Sequence, residues 1–219
     1  MTATGVILDM DGVIVDSEHL WEQSWVTCCD RRGVRWHADD TATVQGMSSP
    51  EWAAYVAAKL GDPGLTDEVR RECVDLVVDA ITAGEAPLLD GAADLIRKVA
   101  ERVPLALASS AARRVIDAVL DTHQLGGHFA ATVSSEEVSR GKPSPDVYLE
   151  AARRIDVVPA TGLAVEDSGN GIRAAAAAGL AVVAIPNSQY PPKPEALAQA
   201  DVVAADHRDA LDYLLARLS

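Results

Sequence analysis

Gly5-Val-Ile-Leu-Asp9-Met-Asp11-Gly-Val13 is the stretch on which the fold turns. A short apolar run ends in one acid, a second acid follows two positions on, and Gly12 comes next. The run from Gly5 to Leu8 reads as a buried strand. Five later runs look similar: Leu105–Ala108, Ala131–Val133, Gly162–Val165, Ala181–Ile185 and Val202–Ala204. Helical patterns separate most of them. Leu95, Ile96 and Val99 mark one face, and Val115, Ile116, Val119 and Leu120 another. Val147, Tyr148, Ala151 and Ile155 continue the series, followed by Ile172–Ala178 and the closing Leu211–Leu218. Apolar residues three and four apart share a helix face. Continuous apolar strands alternating with helices predict an α/β fold, a parallel sheet with helices on both faces. Right-handed crossovers make it doubly wound. Such a sheet gathers ligands at the carboxyl ends of its strands, so the residues just after each run are the candidates for chemistry.

The interval from about Ser17 to Pro87 breaks the alternation. It reads as helical almost throughout, over Glu18–Arg32, Pro50–Leu60 and Thr66–Ala83, with Gly33, Gly46, Gly61 and Gly64 as punctuation. The expectation is a helical insert after the first strand, entered near Val13–Ser17 and left near Gly84–Gly91. All four tryptophans, Trp21, Trp25, Trp36 and Trp52, fall inside it. Trp21 and Trp25 are one turn apart on a helix face, which suits a core for the insert. Tyr190–Pro194 reads as a short Pro-rich loop.

Length and composition set outer bounds. A chain of 219 residues with 48% hydrophobic residues can bury a sizeable core without disulfide or metal support. Its net charge of −14 argues against nucleic acid and anionic lipid as partners. It also means that any phosphate site must supply positive charge locally. Cys28, Cys29 and Cys73 lack metal-ligand spacing and read as reduced thiols of a cytoplasmic protein. No apolar run reaches membrane-spanning length, and no leader pattern opens the chain.

Four polar motifs follow four of the apolar runs. Asp9 and Asp11 start on one side of a strand, and Gly12 permits a turn that aims the second acid back over the first. One carboxylate can attack phosphorus while the other protonates a leaving group. A strand-end Asx turn is the structural alternative. Ser109 and Ser110 follow Leu105–Ala108, where hydroxyl and backbone N–H groups suit a phosphate oxygen, or simply an N-cap. Lys142 lies between Gly141 and Pro143 in a stiffened segment, either as a fixed point charge for phosphate or as a solvated loop lysine. Glu166, Asp167 and Ser168 follow Leu163–Val165. Buried acids there need a cation, and Mg2+ prefers carboxylates, water and phosphate; a capped helix start is the alternative. Taken together, the set contains nucleophile, acid, phosphate binder, cation and metal ligands at the ends of one sheet.

With these residues in view, the sequence resembles the haloacid dehalogenase-like superfamily, in its β-phosphoglucomutase and phosphoglycolate phosphatase-like branch. The matching stretches are Asp9-Met-Asp-Gly-Val-Ile-Val-Asp-Ser17, Ala108-Ser109, Gly141-Lys-Pro-Ser-Pro-Asp146 and Glu166-Asp-Ser-Gly-Asn-Gly171, followed by Ala174-Ala175 and Ala178-Gly179. The resemblance implies a Rossmann-like core domain, residues 1–16 and 88–219, with a helical cap domain, residues 17–87. It implies Asp9 as nucleophile, Asp11 as acid and base, and Ser109 and Lys142 as phosphate binders; Ser110 joins them as a phosphate binder from its place after the strand. It implies Mg2+ held by Asp9, the Asp11 carbonyl and Asp167, with Glu166 as ligand or supporting partner. The sequence departs from the mutase pattern in two places. Ser49, in Gly46-Met-Ser-Ser49, stands where the mutase has a phosphate-gripping arginine, and Ala111 and Ala112 follow Ser109 in place of polar residues.

The expectation is therefore a cytoplasmic Mg2+-dependent phosphatase of a small phosphorylated metabolite, a monomer or weak homodimer. A phosphomutase is the alternative, and a non-catalytic phosphate sensor the alternative of another class. Dehalogenases of the superfamily lack the second acid, so Asp11 argues against that chemistry. Gly169-Asn-Gly171-Ile-Arg-Ala174 imitates a dinucleotide fingerprint, but no acid for a ribose ends the next strand. His19 and His37 have no third ligand in register for a metal.

Overall fold

The computed structural model describes residues 2–44, 47–187 and 190–218. Six strands, β1 (Gly5–Leu8), β2 (Leu105–Ser109), β3 (Ala131–Ser134), β4 (Gly162–Glu166), β5 (Ala181–Ala184) and β6 (Val202–Val203), form one parallel sheet. Its order is β3-β2-β1-β4-β5-β6. The chain runs outward from β1 through β2 to β3, then crosses back to β4. The reversal sets β1 between β2 and β4, and a crevice opens at their carboxyl ends.

Strand residues alternate between two cores. Ile7, Ala106, Ala108, Ala164 and Val182 pack on one face against Val147, Tyr148 and Ala151 of α7 (Asp146–Arg154) and Ile172 and Ala175 of α8 (Gly169–Ala177). Val6, Leu8, Leu105, Leu107, Leu163 and Val165 face the other way. They meet α5 (Ala92–Ala100), α6 (Arg113–Thr122) and α10 (His207–Leu215) through Leu95, Ile96, Val115, Ile116 and Leu214. Both faces being covered, the strands show no apolar–polar alternation in sequence.

Between β1 and α5 the chain forms α1 (Glu18–Asp30), α2 (Ala38–Val44), α3 (Ser49–Lys59) and α4 (Thr66–Thr82). The expected helices match α1, α3 and α4 to within one or two residues at either end. Gly46 lies outside the described residues, as does Ser188. The helix α2 escapes the sequence reading because Asp39, Asp40, Thr41 and Thr43 are weak helix formers. Tertiary contacts hold it instead. Thr41 Oγ1 accepts from Trp36 Nε1 and donates to Glu22, both at 2.9 Å. Asp40 accepts from Tyr55 at 2.7 Å and pairs with Lys59 at 2.9 Å. The four tryptophans pack together, with ring centroids 5.7 Å apart for Trp21–Trp52 and 6.2 Å for Trp21–Trp25.

The two strands of chain that join insert to sheet run side by side. Asp16 N–H donates to Pro87 and Leu89 N–H to Ile14, each at 3.0 Å, and Val15 bridges Leu88. His207 Nε2 donates to the Val13 carbonyl at 2.6 Å, tying this loop to α10. Arg114–Asp75 and Arg70–Glu136 connect insert and sheet helices at the surface. Exposed pairs of this kind contribute about 0–1 kcal/mol, so the apolar packing of α4 on α6 dominates that contact.

Leu107 is fully buried at the middle of β2. Leu107→Ala is expected to cost about 2–5 kcal/mol, read as a lower urea midpoint at unchanged m-value. A loss below about 1 kcal/mol would contradict the packing described.

Candidate active site

The carboxyl ends of β1 and β4 bring three buried acids together. Ligand atoms of Asp9, Glu166 and Asp167 lie within 4.8 Å of one another. Lys142, from the segment before α7, reaches between them: its Nζ is 2.7 Å from Asp9 Oδ1 and 2.6 Å from Glu166 Oε1. The lysine is only 3% exposed. Burial draws its pKa down, but the carboxylates of Asp9 and Glu166 on either side hold it above the ordinary lysine value. It is a permanent ammonium.

Glu166 is the most tightly bound of the acids. Its Oε1 also accepts from Tyr148 at 2.7 Å. Its Oε2 accepts from the N–H groups of Asp167 and Ser168 at 3.1 Å and from Ser168 Oγ at 3.0 Å. Five hydrogen bonds take up its roughly four lone-pair sites. Burial, then Glu166 and Asp9, push the Tyr148 hydroxyl well above its usual pKa, so it remains a donor.

Two glycines make this approach possible. A Cβ on Gly171 would sit 1.6 Å from Glu166 Oε1, and one on Gly12, at φ +77°, would sit 1.9 Å from Asp167 Oδ2. Neither position admits a side chain while the acids stay where they are.

Asp11 lies beside Asp9 at the mouth of the crevice. Its Oδ1 accepts from Ser17 Oγ at 2.5 Å and Trp21 Nε1 at 3.3 Å. Burial raises its pKa, and these two hydrogen bonds oppose the rise. Asp9 is pushed up to about 8, first by burial and then by the charges of Glu166 and Asp11, while Lys142 pulls it down. Asp167 stands well above the usual carboxylate range through burial, Glu166, Asp9 and Glu18. Three clustered carboxyls thus share one ammonium, and the pocket is short of positive charge. An all-oxygen, carboxylate-rich donor set of this kind suits a hard divalent cation such as Mg2+.

Above the acids opens a pocket with two unlike walls. The sheet side contributes Asp9, Asp11, Ser110, Ala111, Lys142, Asp167 and Ser168; the insert contributes Glu18, Trp21, Trp25, Val44, Met47 and Trp52. The seven residues read from sequence therefore converge, but not equally. Asp9, Asp11, Ser110, Lys142 and Asp167 line the pocket, and Glu166 lies behind it. Ser109 is fully buried beneath, its Oγ accepting the Ala111 N–H at 3.0 Å. Ser134 and Ser135 hold the same loop through the Ala111 and Ser110 carbonyls, at 2.6 and 2.7 Å. Ser49 is buried at the start of α3, outside the pocket lining. His19 is half exposed near Asp16, and His37 is exposed, so neither joins the acidic cluster.

Sequence reasoning missed Tyr148, Ser17 and Trp21 as partners of the acids. Tyr148 carried a faint signal, a hydroxyl on the apolar face of a helix. Ser17 closes the motif that begins at Asp9, but its bond to Asp11, like that of Trp21, depends on how the insert folds back.

Residues 3–179 match the haloacid dehalogenase-like hydrolase family, and the chain belongs to it. Solved structures of the β-phosphoglucomutase and phosphoglycolate phosphatase type share its fold. It is 33% identical over 184 residues to a bifunctional riboflavin kinase/FMN phosphatase of Arabidopsis thaliana. That match covers 83% of this chain and 48% of the relative, so the chain spans about half that protein's length. Hexitol phosphatase B of Escherichia coli K12 is 31% identical over 188 residues, 82% of each chain. Among solved structures, CbbY from Rhodobacter sphaeroides in complex with phosphate aligns with a TM-score of 0.81 at 26% identity, covering 94% of this chain and 95% of that one.

The raised acids fix a pH dependence. Asp9 moves from its ordinary 3.8 to about 8, so it favours the folded state when protonated. That contribution is complete below about pH 3.8 and is lost as pH rises through about 8. In chelator, the melting temperature of the wild type is expected to fall relative to Asp9→Asn between these limits. Mg2+ is expected to narrow the gap, most at the alkaline end. A difference between the two proteins that stays constant from pH 5 to pH 9 would contradict the electrostatics given.

Proposed function

We propose that this chain, a haloacid dehalogenase-like phosphatase, hydrolyses a small phosphorylated metabolite, a sugar phosphate or similar phosphomonoester, through an aspartyl phosphate on Asp9. The observation that carries the reading is the convergence of Asp9, Lys142 and Asp167 from three separate segments on one buried point. Asp9 attacks phosphorus as the bond to the leaving oxygen breaks, and Asp11 gives that oxygen its proton. Asp11 then takes a proton from water, whose oxygen attacks the aspartyl phosphate, releasing inorganic phosphate and restoring Asp9. The raised pKa of Asp11 suits a group that must carry a proton near neutrality.

Asp9, the Asp11 carbonyl and Asp167 would hold Mg2+, with Glu166 at the edge of that set. When bound, the ion supplies positive charge to the phosphoryl oxygens and favours ionised Asp9. Lys142 adds a second charge, oriented by Glu166 and Tyr148. Ser110, at the pocket, and Ser109, beneath it, bind or shape the seat of a phosphoryl oxygen. Residues 17–87 act as a cap on the core of 1–16 and 88–219, hinging where Val13–Ser17 and Gly84–Gly91 run together and excluding water on closure. Among the described residues, no helix is long and apolar enough to cross a membrane. We place the enzyme in the cytoplasm, as a monomer or weak homodimer without nucleic acid or membrane partner.

Asp9→Asn is expected to lower kcat on the order of 10³-fold or more while circular dichroism stays native. Phosphate release at the wild-type rate would remove Asp9 as nucleophile. Asp11→Ala is expected to slow alkyl phosphates by roughly 10²–10⁴-fold and activated aryl phosphates far less. Equal losses on both classes would remove its acid role.

A further inference from the structure

The proposed mechanism leaves open what lies on the far side of the phosphate. The pocket lining answers through its charges. Among the described residues it contains four acids, Asp9, Asp11, Glu18 and Asp167, and one cation, Lys142. That ammonium is already engaged by Asp9 and Glu166 at 2.7 and 2.6 Å, on the sheet side. The insert's contribution is apolar apart from Glu18, and the residues between Val44 and Met47, Gln45 and Gly46, carry no charge.

The apolar wall is also rigid and aligned with the chemistry. Trp21 donates its indole N–H to Asp11 Oδ1 at 3.3 Å, so its ring stands next to the acid that meets the leaving oxygen. Trp25 stacks on it at 6.2 Å, with planes 28° apart. Trp52 braces both, at 5.7 Å from Trp21 and 6.0 Å from Trp25. Three interlocked indoles lose little freedom on binding, and the small part of each that is not buried lines the pocket.

Resting on the phosphatase reading, we infer that the substrate is a monophosphate ester whose leaving alcohol is uncharged and presents an apolar ring face to Trp21 and Trp52. A second phosphate or a carboxylate on that alcohol would meet indoles and Glu18, with no cation among the described residues of that wall to receive it. Burying an anion there is costly, and like charges raise the cost. The C–H face of a sugar ring and an aromatic ring share the chemistry that fits, and the substrate panel separates them.

The test measures wild-type kcat/KM with Mg2+ for glucose 6-phosphate and phenyl phosphate against phosphoglycolate and fructose 1,6-bisphosphate. The two ring monoesters are expected to exceed both anion-bearing esters by roughly tenfold or more, about 1.4 kcal/mol in transition-state binding. The better of the first two tells a sugar face from an aromatic one. Met47→Arg, which places a cation in the wall, is expected to raise the ratio of fructose 1,6-bisphosphate to glucose 6-phosphate turnover about tenfold. In parallel, Asp9→Asn is titrated with the same four esters by tryptophan fluorescence, since all four tryptophans lie in the insert. The ring monoesters are expected to bind more tightly there as well. Equal or better use of the anion-bearing esters overturns the inference and leaves the phosphatase reading intact. Ring-selective binding without phosphate release from any ester overturns the phosphatase reading and leaves the inference about the leaving group standing.

Discussion

The ammonium of Lys142, buried between Asp9 and Glu166, is the interaction on which the site depends. Coulomb attraction between buried charges is strong, but so is the desolvation each charge suffers. A lone lysine there would lose its proton, and three unpaired carboxyls would keep theirs. The ion pairs hold the lysine charged, yet one ammonium cannot neutralise three acids. The remaining deficit raises Asp9 and Asp167. The pocket is therefore built around a missing positive charge, and that deficit is what makes a divalent cation fit.

Geometry keeps this arrangement from collapsing. Glu166 ends β4 and turns into the start of α8, where two backbone N–H groups and Ser168 hold one oxygen and leave the other for Lys142. The space it occupies exists because residue 171 has no side chain. Gly12 does the same for Asp167. Two glycines in two motifs thus act as spacers for two carboxylates. Sequence resemblance marks both positions, and the physical reason for them is the distance a Cβ would have from an acid oxygen.

Much of this was legible in the sequence. The strands were, because a sheet covered on both faces writes itself as bare apolar runs. The principal acids and Lys142 were, because they follow such runs in a topology that collects strand ends. The roles of adjacent acids were harder to separate: Glu166 and Asp167 look equivalent in sequence, yet one is saturated by five hydrogen bonds and the other faces the pocket. Tyr148 was read as part of an apolar helix face, and its hydroxyl contact with Glu166 needed the third dimension. The helix α2 was missed because its residues favour other conformations, and partners distant in sequence, Glu22, Tyr55 and Lys59, hold it in place.

A net charge of −14 opposes the approach of phosphate esters, the substrates proposed for this protein. At physiological ionic strength, surface charges more than about 8 Å from a ligand are largely screened. What remains of their field repels a ligand in proportion to its charge and does not read the shape of the leaving alcohol. On the proposed mechanism, affinity for the phosphoryl group would come from Lys142 and the cation that the acids would hold, which are equally available to any monoester. Selectivity would then fall to the wall that the insert's described residues contribute, Trp21, Trp25, Trp52, Val44, Met47 and Glu18. An insert without a pocket-facing cation among its described residues reads shape and apolar surface. Such a wall would refuse a second anion, having no cation among its described residues with which to hold it.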